Sequence, residues 1–126
     1  MTIREEVERG RVHDRVLAPY VDELAWNEHP TFKGVHLKHL LRGTNTDGGF
    51  SSHRVRVEAG CEFGMHVHDA QWELHQVIEG RGQLVRGERQ IPYAPGVTAT
   101  MPKGVAHAVR AQEELYLLVT FVPPLL

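Results

Sequence analysis

The chain has 126 residues, 41% of them apolar, which suits one domain with a single core. Fourteen basic against sixteen acidic residues give a net charge of −2, which excludes nucleic-acid binding carried by net charge. No run approaches the ~20 apolar residues of a membrane span, and the N-terminus lacks the basic and apolar regions of a secretion signal. A single cysteine, Cys61, cannot form an internal disulfide and fits a reducing cytoplasm. Nine histidines are an unusual number for this length, and histidine is the commonest metal ligand and the side chain that titrates near neutrality.

In chain order, Thr2 and Glu5 resemble a capping box, and Ile3, Val7 and Val12 follow at loose helical spacing, so a short helix is expected. Ala18-Pro19 ends it. Tyr20–Trp26 reads as a second short helix or an extended arm, closed by His29-Pro30. From Gly34 onward short alternating runs replace the helical pattern. Gly34–Leu41 and the run around His53, Val55 and Val57 come first. Then come Met65–Val67, Glu73–Ile78, Gln83–Arg86, Gln90–Tyr93, Val97–Thr100, Ala106–Arg110 and Leu115–Val122. Closely spaced strands separated by Gly, Pro, Asn and Asp predict an all-β sandwich or small barrel over 31–126, behind a partly helical extension over 1–30.

Chemistry concentrates in two segments. In Gly60–Gly80, His66 and His68 are two residues apart, which on a strand puts both imidazoles on one face. Glu73 opens the next apolar run and offers a carboxylate. In Gly96–His107, the last residue is a further histidine at a strand start. Three imidazoles and one carboxylate suit a divalent transition metal with positions left for water or substrate.

These segments resemble the two signature motifs of the cupin superfamily. Gly60, His66, His68, Glu73 and Gly80 match the first at its spacing, and Gly96, Pro102, Gly104 and His107 match the second. The asparagine that closes the second pattern falls at Ala111, which is not a ligand position. The resemblance implies a jelly-roll (double-stranded β-helix) barrel holding one divalent metal, iron, manganese, nickel or zinc. It also implies His66, His68, Glu73 and His107 as its ligands. It does not fix a reaction, since a fold hosts many chemistries.

Other residues carry weaker signals. His75, two beyond Glu73, is a pocket acid/base, a substrate donor, a fifth group near the metal, or a hydrogen-bonded wall histidine. Glu73 would tune the metal and can detach during turnover. His39 and His53 share parity with apolar neighbours, so they are core groups or pocket linings. Trp72 and Met65 are expected to pack in the wall, and Cys61 to be structural. His13, His29 and His36 are expected at the surface, and Arg54 and Arg56 on a solvated or interface face. The functional expectation is a metal-dependent enzyme of dioxygenase, isomerase or lyase type acting on a small organic molecule. The alternatives are a small-molecule binding or sensing module with a structural metal, and a subunit of a larger complex. A homodimer is expected, built on the Tyr20–Trp26 arm and the edge of the Gly34–Leu41 strand, because exposed edges and apolar arms invite pairing.

Overall fold

The computed structural model describes residues 1–126. A helix α1 (Ile3–Glu8) opens the chain. Thr2 Oγ accepts the Glu5 backbone N–H at 3.1 Å and the Glu5 carboxylate accepts that of Thr2, the reciprocal capping read from the sequence. The arm after it is mostly irregular, with one 3₁₀ turn at Val21–Glu23. Ten strands follow: β1 (Asn27–Glu28), β2 (Val35–Leu41), β3 (Ser51–Val57), β4 (Glu62–His66), β5 (Trp72–Glu79), β6 (Gly82–Arg86), β7 (Arg89–Tyr93), β8 (Thr98–Met101), β9 (His107–Ala111) and β10 (Leu115–Val122).

All pairings are antiparallel. One sheet runs β1-β2-β3-β10-β5-β8 and the other β4-β9-β6-β7. Alternation makes the layers. On β3, Ser51, His53, Val55 and Val57 are buried while the residues between them face outward. Val55, Val57, Val77, Leu84, Val109, Leu117 and Val119 form the core between the sheets. Two motif glycines are required by the backbone. Gly80 turns β5 into β6 at φ +94°, and a Cβ there would lie 2.0 Å from the Glu114 carbonyl oxygen. Gly104, in the turn before β9, has φ +76°.

The N-terminal arm lies on the outer face of the six-stranded sheet of its own chain. Val21 is buried, and Trp26 meets Tyr116 edge-to-face at 6.0 Å. Lys38, on the outer face of β2, is also buried. Its Nζ donates to Glu8 Oε2 at 2.6 Å and to the Val21 carbonyl at 3.0 Å, and the Tyr116 hydroxyl donates to Glu8 Oε1 at 2.6 Å. One carboxylate of α1 therefore satisfies two polar groups of the sheet. Part of the arm's apolar surface is thus used within the chain, while Tyr20 stays exposed. Arg54 and Arg56 are half-buried on the same face, Arg56 stacking over Trp26 at 5.2 Å, rather than solvated. The β2 edge is partly covered, since Asn27 and Glu28 pair with Leu37 and His36.

Other expectations also shift. His36 is half-buried and pairs with Glu58 at 2.7 Å, while His13 is exposed as read. Trp72 and Met65 are exposed instead of packing in the wall, because each points away from the ligand beside it. Cys61 packs against the core.

Candidate metal centre

The first pair of histidines is brought together, but not by strand alternation. β4 ends at His66, and His68 lies beyond it. Phe63 pairs with Val109 and His66 with His107, so two residues on β4, Gly64 and Met65, oppose the single Ala108 on β9. This one-residue bulge turns Phe63 and His66 to the same side, where their rings stack at 4.4 Å. Gly64 permits it, because a Cβ there would lie 2.4 Å from the Phe32 ring. His68 then enters from the connecting loop, Glu73 from β5 and His107 from β9.

One ligand atom from each of His66, His68, Glu73 and His107 lies within 4.8 Å of all the others. Ligands about 2.1 Å from a metal lie at most about 4.2 Å apart, so a closure of about half an ångström would suffice. His66 Nδ1 is 2.7 Å from the Gly64 carbonyl and His107 Nδ1 is 3.1 Å from that of Val105. A carbonyl only accepts, so both rings donate at Nδ1 and turn Nε2 inward. His107 Nε2 and Glu73 Oε1 are 3.0 Å apart and both buried, yet neither has a hydrogen-bond partner. Two facing lone pairs in a buried site need a positive charge between them. A proton on His107 supplies one. A metal ion supplies one and satisfies His66 and His68 as well, with His68 Nε2 3.7 Å from Glu73 Oε1. Burial holds the His66 imidazole down at about 4 and lowers that of His68, which keeps their lone pairs available at neutral pH. Burial also works against the Glu73 carboxylate. The adjacent imidazoles of His107 and His75 outweigh it and hold the carboxyl below the usual carboxylate range. The residues therefore fit a divalent transition metal.

Behind the cluster a second line of groups fixes Glu73. His75 Nε2 is 2.5 Å from Glu73 Oε2, and His75 Nδ1 is 2.8 Å from the Tyr93 hydroxyl. The carboxylate can only accept, so His75 donates at Nε2 and receives the tyrosine proton at Nδ1. His75 is buried and does not line the cavity in front of the cluster. Of the roles open to it in the sequence, the arrangement is that of the wall histidine. Tyr93 gave no sequence signal, since only the fold brings β7 behind β5.

The cluster sits at one end of a cavity of about 220 Å³, lined mainly by apolar side chains including Leu37, Val55, Phe63, Val119 and Phe121. No lysine or arginine lines it. His39 and His53 do line it, as does His29, which the sequence assigned to the surface. His29 Nδ1 accepts the backbone N–H groups of Thr31 and Phe32 at 3.1 and 3.2 Å, so its proton is on Nε2. Its half-burial follows from packing on Phe32 and Phe63, contacts between distant segments that a lone histidine before a proline does not announce.

A two-sheet β-barrel with an internal histidine and glutamate cluster defines the class, a jelly-roll protein built around a candidate metal centre. The chain belongs to the cupin family: the cupin-domain family model matches residues 53–122, more than half of the chain. Curated relatives include the L-ectoine synthases of Teredinibacter turnerae, 32% identical over 79 residues, and of a Marinomonas species, 34% identical over 88 residues. The first match covers 61% of this chain and 59% of the relative, and the second 68% and 66%. The chain thus matches less than two thirds of the length of these relatives. Among solved structures, ectoine synthase from P. lautus superposes with a TM-score of 0.77 at 22% identity, over 87% of this chain and 80% of that one. A predicted oxalate decarboxylase from Thermotoga maritima gives 0.75 at 18% identity, over 81% and 95%. At these identities the structural likeness speaks for the fold. No helix is long and apolar enough to cross a membrane.

Proposed function

We propose that this cupin is a metal-dependent enzyme that acts on a small, largely apolar organic molecule with an oxygen-donor head. The observation that carries the reading is the pair of unpartnered buried atoms, Glu73 Oε1 and His107 Nε2, in a cluster whose Glu73, His66 and His68 line a mainly apolar cavity. His66, His68, Glu73 and His107 would hold one divalent transition metal. The bound metal would act as a Lewis acid, or with iron as a centre for dioxygen chemistry. The residues of the chain do the rest. The Glu73 carboxylate is held in orientation by His75, and His75 by Tyr93, so both are positioning residues. The apolar walls exclude water and select a substrate smaller than the 300 Å³ or so at which drug-sized pockets begin. With no lysine or arginine in the lining, the full positive charge that a negative or enolic head would meet is that of the metal.

Dioxygenase, isomerase and lyase chemistry are all open to such a centre. The L-ectoine synthase relatives support a synthase-type reaction ahead of dioxygen chemistry. A metal shell without an exchangeable ligand would instead make the protein a binding module. The same reading keeps a cytoplasmic homodimer. The single cysteine supports the compartment. Strand edges left at β8 and β7 support the pairing, beside the exposed Tyr20 of the arm.

Elemental analysis of protein purified without a histidine tag tests the centre. One divalent metal per chain is expected, with strong loss in His66→Ala and His107→Ala. Glu73→Gln should weaken binding without unfolding. Unchanged metal content in both histidine variants refutes the site.

A further inference from the structure

The cavity holds a second polar group that the metal centre does not use. His39 Nδ1 and His53 Nδ1 are 2.8 Å apart, with the rings edge-to-face at 4.9 Å. His53 Nε2 is 2.8 Å from Ser51 Oγ, and Ser51 Oγ accepts the Leu125 backbone N–H at 3.0 Å. Ser51 and His53 are buried, whereas His39 is half-buried and its Nε2 has no protein partner. The pairing is set by the sheet, since His39 and His53 are direct cross-strand neighbours of β2 and β3.

Two proton arrangements fit these same heavy-atom positions. In the first, His39 donates from Nδ1 to His53 Nδ1, and His53 donates from Nε2 to Ser51 Oγ. His39 Nε2 is then a bare lone pair. In the second, the Ser51 hydroxyl donates to His53 Nε2, and His53 donates from Nδ1 to His39 Nδ1. His39 Nε2 then carries a proton. In the second, every group between the two imidazoles and Leu125 is satisfied; in the first, the buried Ser51 hydroxyl accepts from both His53 and Leu125 and its own proton has no partner. The heavy atoms stay in place in both, so His39 can be an acceptor or a donor, with one unpaired hydroxyl proton as the cost of the acceptor form.

We propose that the His39–His53 pair is the proton-transfer subsite of the cavity, separate from the metal centre, for a substrate carrying a hydroxyl or an acidic C–H. The proposal rests on the enzyme reading above. His39 is the catalytic residue, and His53 and Ser51 are positioning residues acting through it. In the first arrangement the substrate X–H bond breaks and its electron pair stays on X. The proton goes to His39 Nε2, and the resulting imidazolium is stabilised by the Nδ1–H···Nδ1 bond to His53. The same proton is returned to the substrate at another atom, so no co-reactant is needed. This take-and-return sequence belongs to isomerisation and to elimination, and in the cavity lining the other imidazoles and the carboxylate are either assigned to the metal (His66, His68, Glu73) or, in His29, already accepting backbone N–H groups. Charged groups facing the pair are Arg42, just past β2, which opposes protonation of both rings, and Glu73 on β5, which favours that of His53.

Two measurements test it. Long-range ¹H–¹⁵N NMR on histidine-labelled, metal-free protein reads the proton positions directly. One proton shared between the two Nδ1 atoms is expected, with the pair taking up one proton before a second as pH falls. Two rings titrating independently, with no shared proton, overturn the proposal. The second measurement uses zinc-loaded protein in D₂O with 2-oxobutanoate as the probe, following deuterium entry at C3. His39→Gln should slow exchange by about 100-fold or more, the usual reach of general acid–base catalysis, at unchanged zinc content. Ser51→Ala, which removes the partner at the far end, should shift the pH midpoint of exchange while leaving the fold intact. Equal rates in wild type and His39→Gln overturn the proposal, and so does no exchange by zinc-bearing wild type. Failure of the wild type to hold zinc instead refutes the metal reading, and the NMR result then decides the pair alone.

Discussion

Tyr93→Phe isolates the support behind the metal centre, because it removes one hydroxyl and leaves the ring in place. In the structure that hydroxyl is the donor to His75 Nδ1 at 2.8 Å, and His75 Nε2 holds Glu73 Oε2 at 2.5 Å. Tyr93 is 1% exposed and His75 4%, so water does not replace the lost bond. A buried acceptor left without a partner costs about 1–3 kcal/mol, which is the expected loss of stability in metal-free protein. The consequence for the metal is separate. With Nδ1 unpaired, His75 can reverse its tautomer and present a bare Nε2 to the carboxylate, which would push Glu73 out of position. Loss of such an outer partner lowers metal affinity by about 10–100-fold, or about 1.4–2.7 kcal/mol. Denaturant unfolding reads the first effect and competition against a chromophoric chelator the second. A Tyr93→Phe protein with wild-type stability and wild-type metal affinity would refute the chain from tyrosine to carboxylate. A loss of stability with unchanged affinity would keep the hydrogen bond but reject its role in orienting Glu73.

Burial holds His53 and His66 down at about 4, against about 6.5 in an unfolded chain, so between those pH values the unfolded state binds more protons. Stability of metal-free protein should therefore fall on acidification from pH 6.5 towards 4, by about 1–2 kcal/mol per histidine after discounting for partial exposure. Urea unfolding at pH 7 and 4.5 checks this, and an unchanged midpoint speaks against it. Glu8→Ala strips the buried Lys38 ammonium of its carboxylate and leaves the Val21 carbonyl, so a loss near the lower end of 3–5 kcal/mol is expected by thermal or urea unfolding. A loss below about 1 kcal/mol would mean that the arm does not seal the sheet. Light scattering should give a dimer for the intact chain at micromolar concentration. A chain starting at Thr31 should keep the dimer but unfold more readily, and a monomeric intact chain refutes the pairing.

The strands were legible because their signal is local. Alternation around His53, Val55 and Val57, and the apolar run Leu115–Val122, map onto β3 and β10 with small changes at the ends. The clustering of His66, His68, Glu73 and His107 was legible for a different reason, since spacing between glycines, Pro102 and histidines fixes where turns and side chains fall. The physical argument for His66 and His68 was nonetheless the wrong one. Alternation along Met65–Val67 would have put them on one face, whereas a bulge at Gly64 and a loop bring them together. A bulge depends on what opposes the strand, here β9 and the Phe32 ring, and no window of neighbouring residues contains that information.

The same limit explains the surface assignments that changed. Arg54 and Arg56 alternate outward as polar residues of a half-buried strand should, which the sequence reads as a solvated or interface face, and Lys38 shares that outer side. The sheet has a second layer on that side, supplied by residues more than ten positions away in sequence, with Glu8 meeting Lys38 and Tyr116 together. Polarity on an outer face specifies only that each charge needs a partner, and water is one candidate among several. His39 and His53 make the converse case. Parity with valines and leucines put them on the inner face, where a lone imidazole would be costly. Cross-strand register makes them each other's partner, with Ser51 closing the chain, so an apolar wall can hold two titratable rings beside the candidate metal centre. What the sequence could not supply was the pairing, and it is the pairing that turns two scattered histidines into a group able to handle a proton.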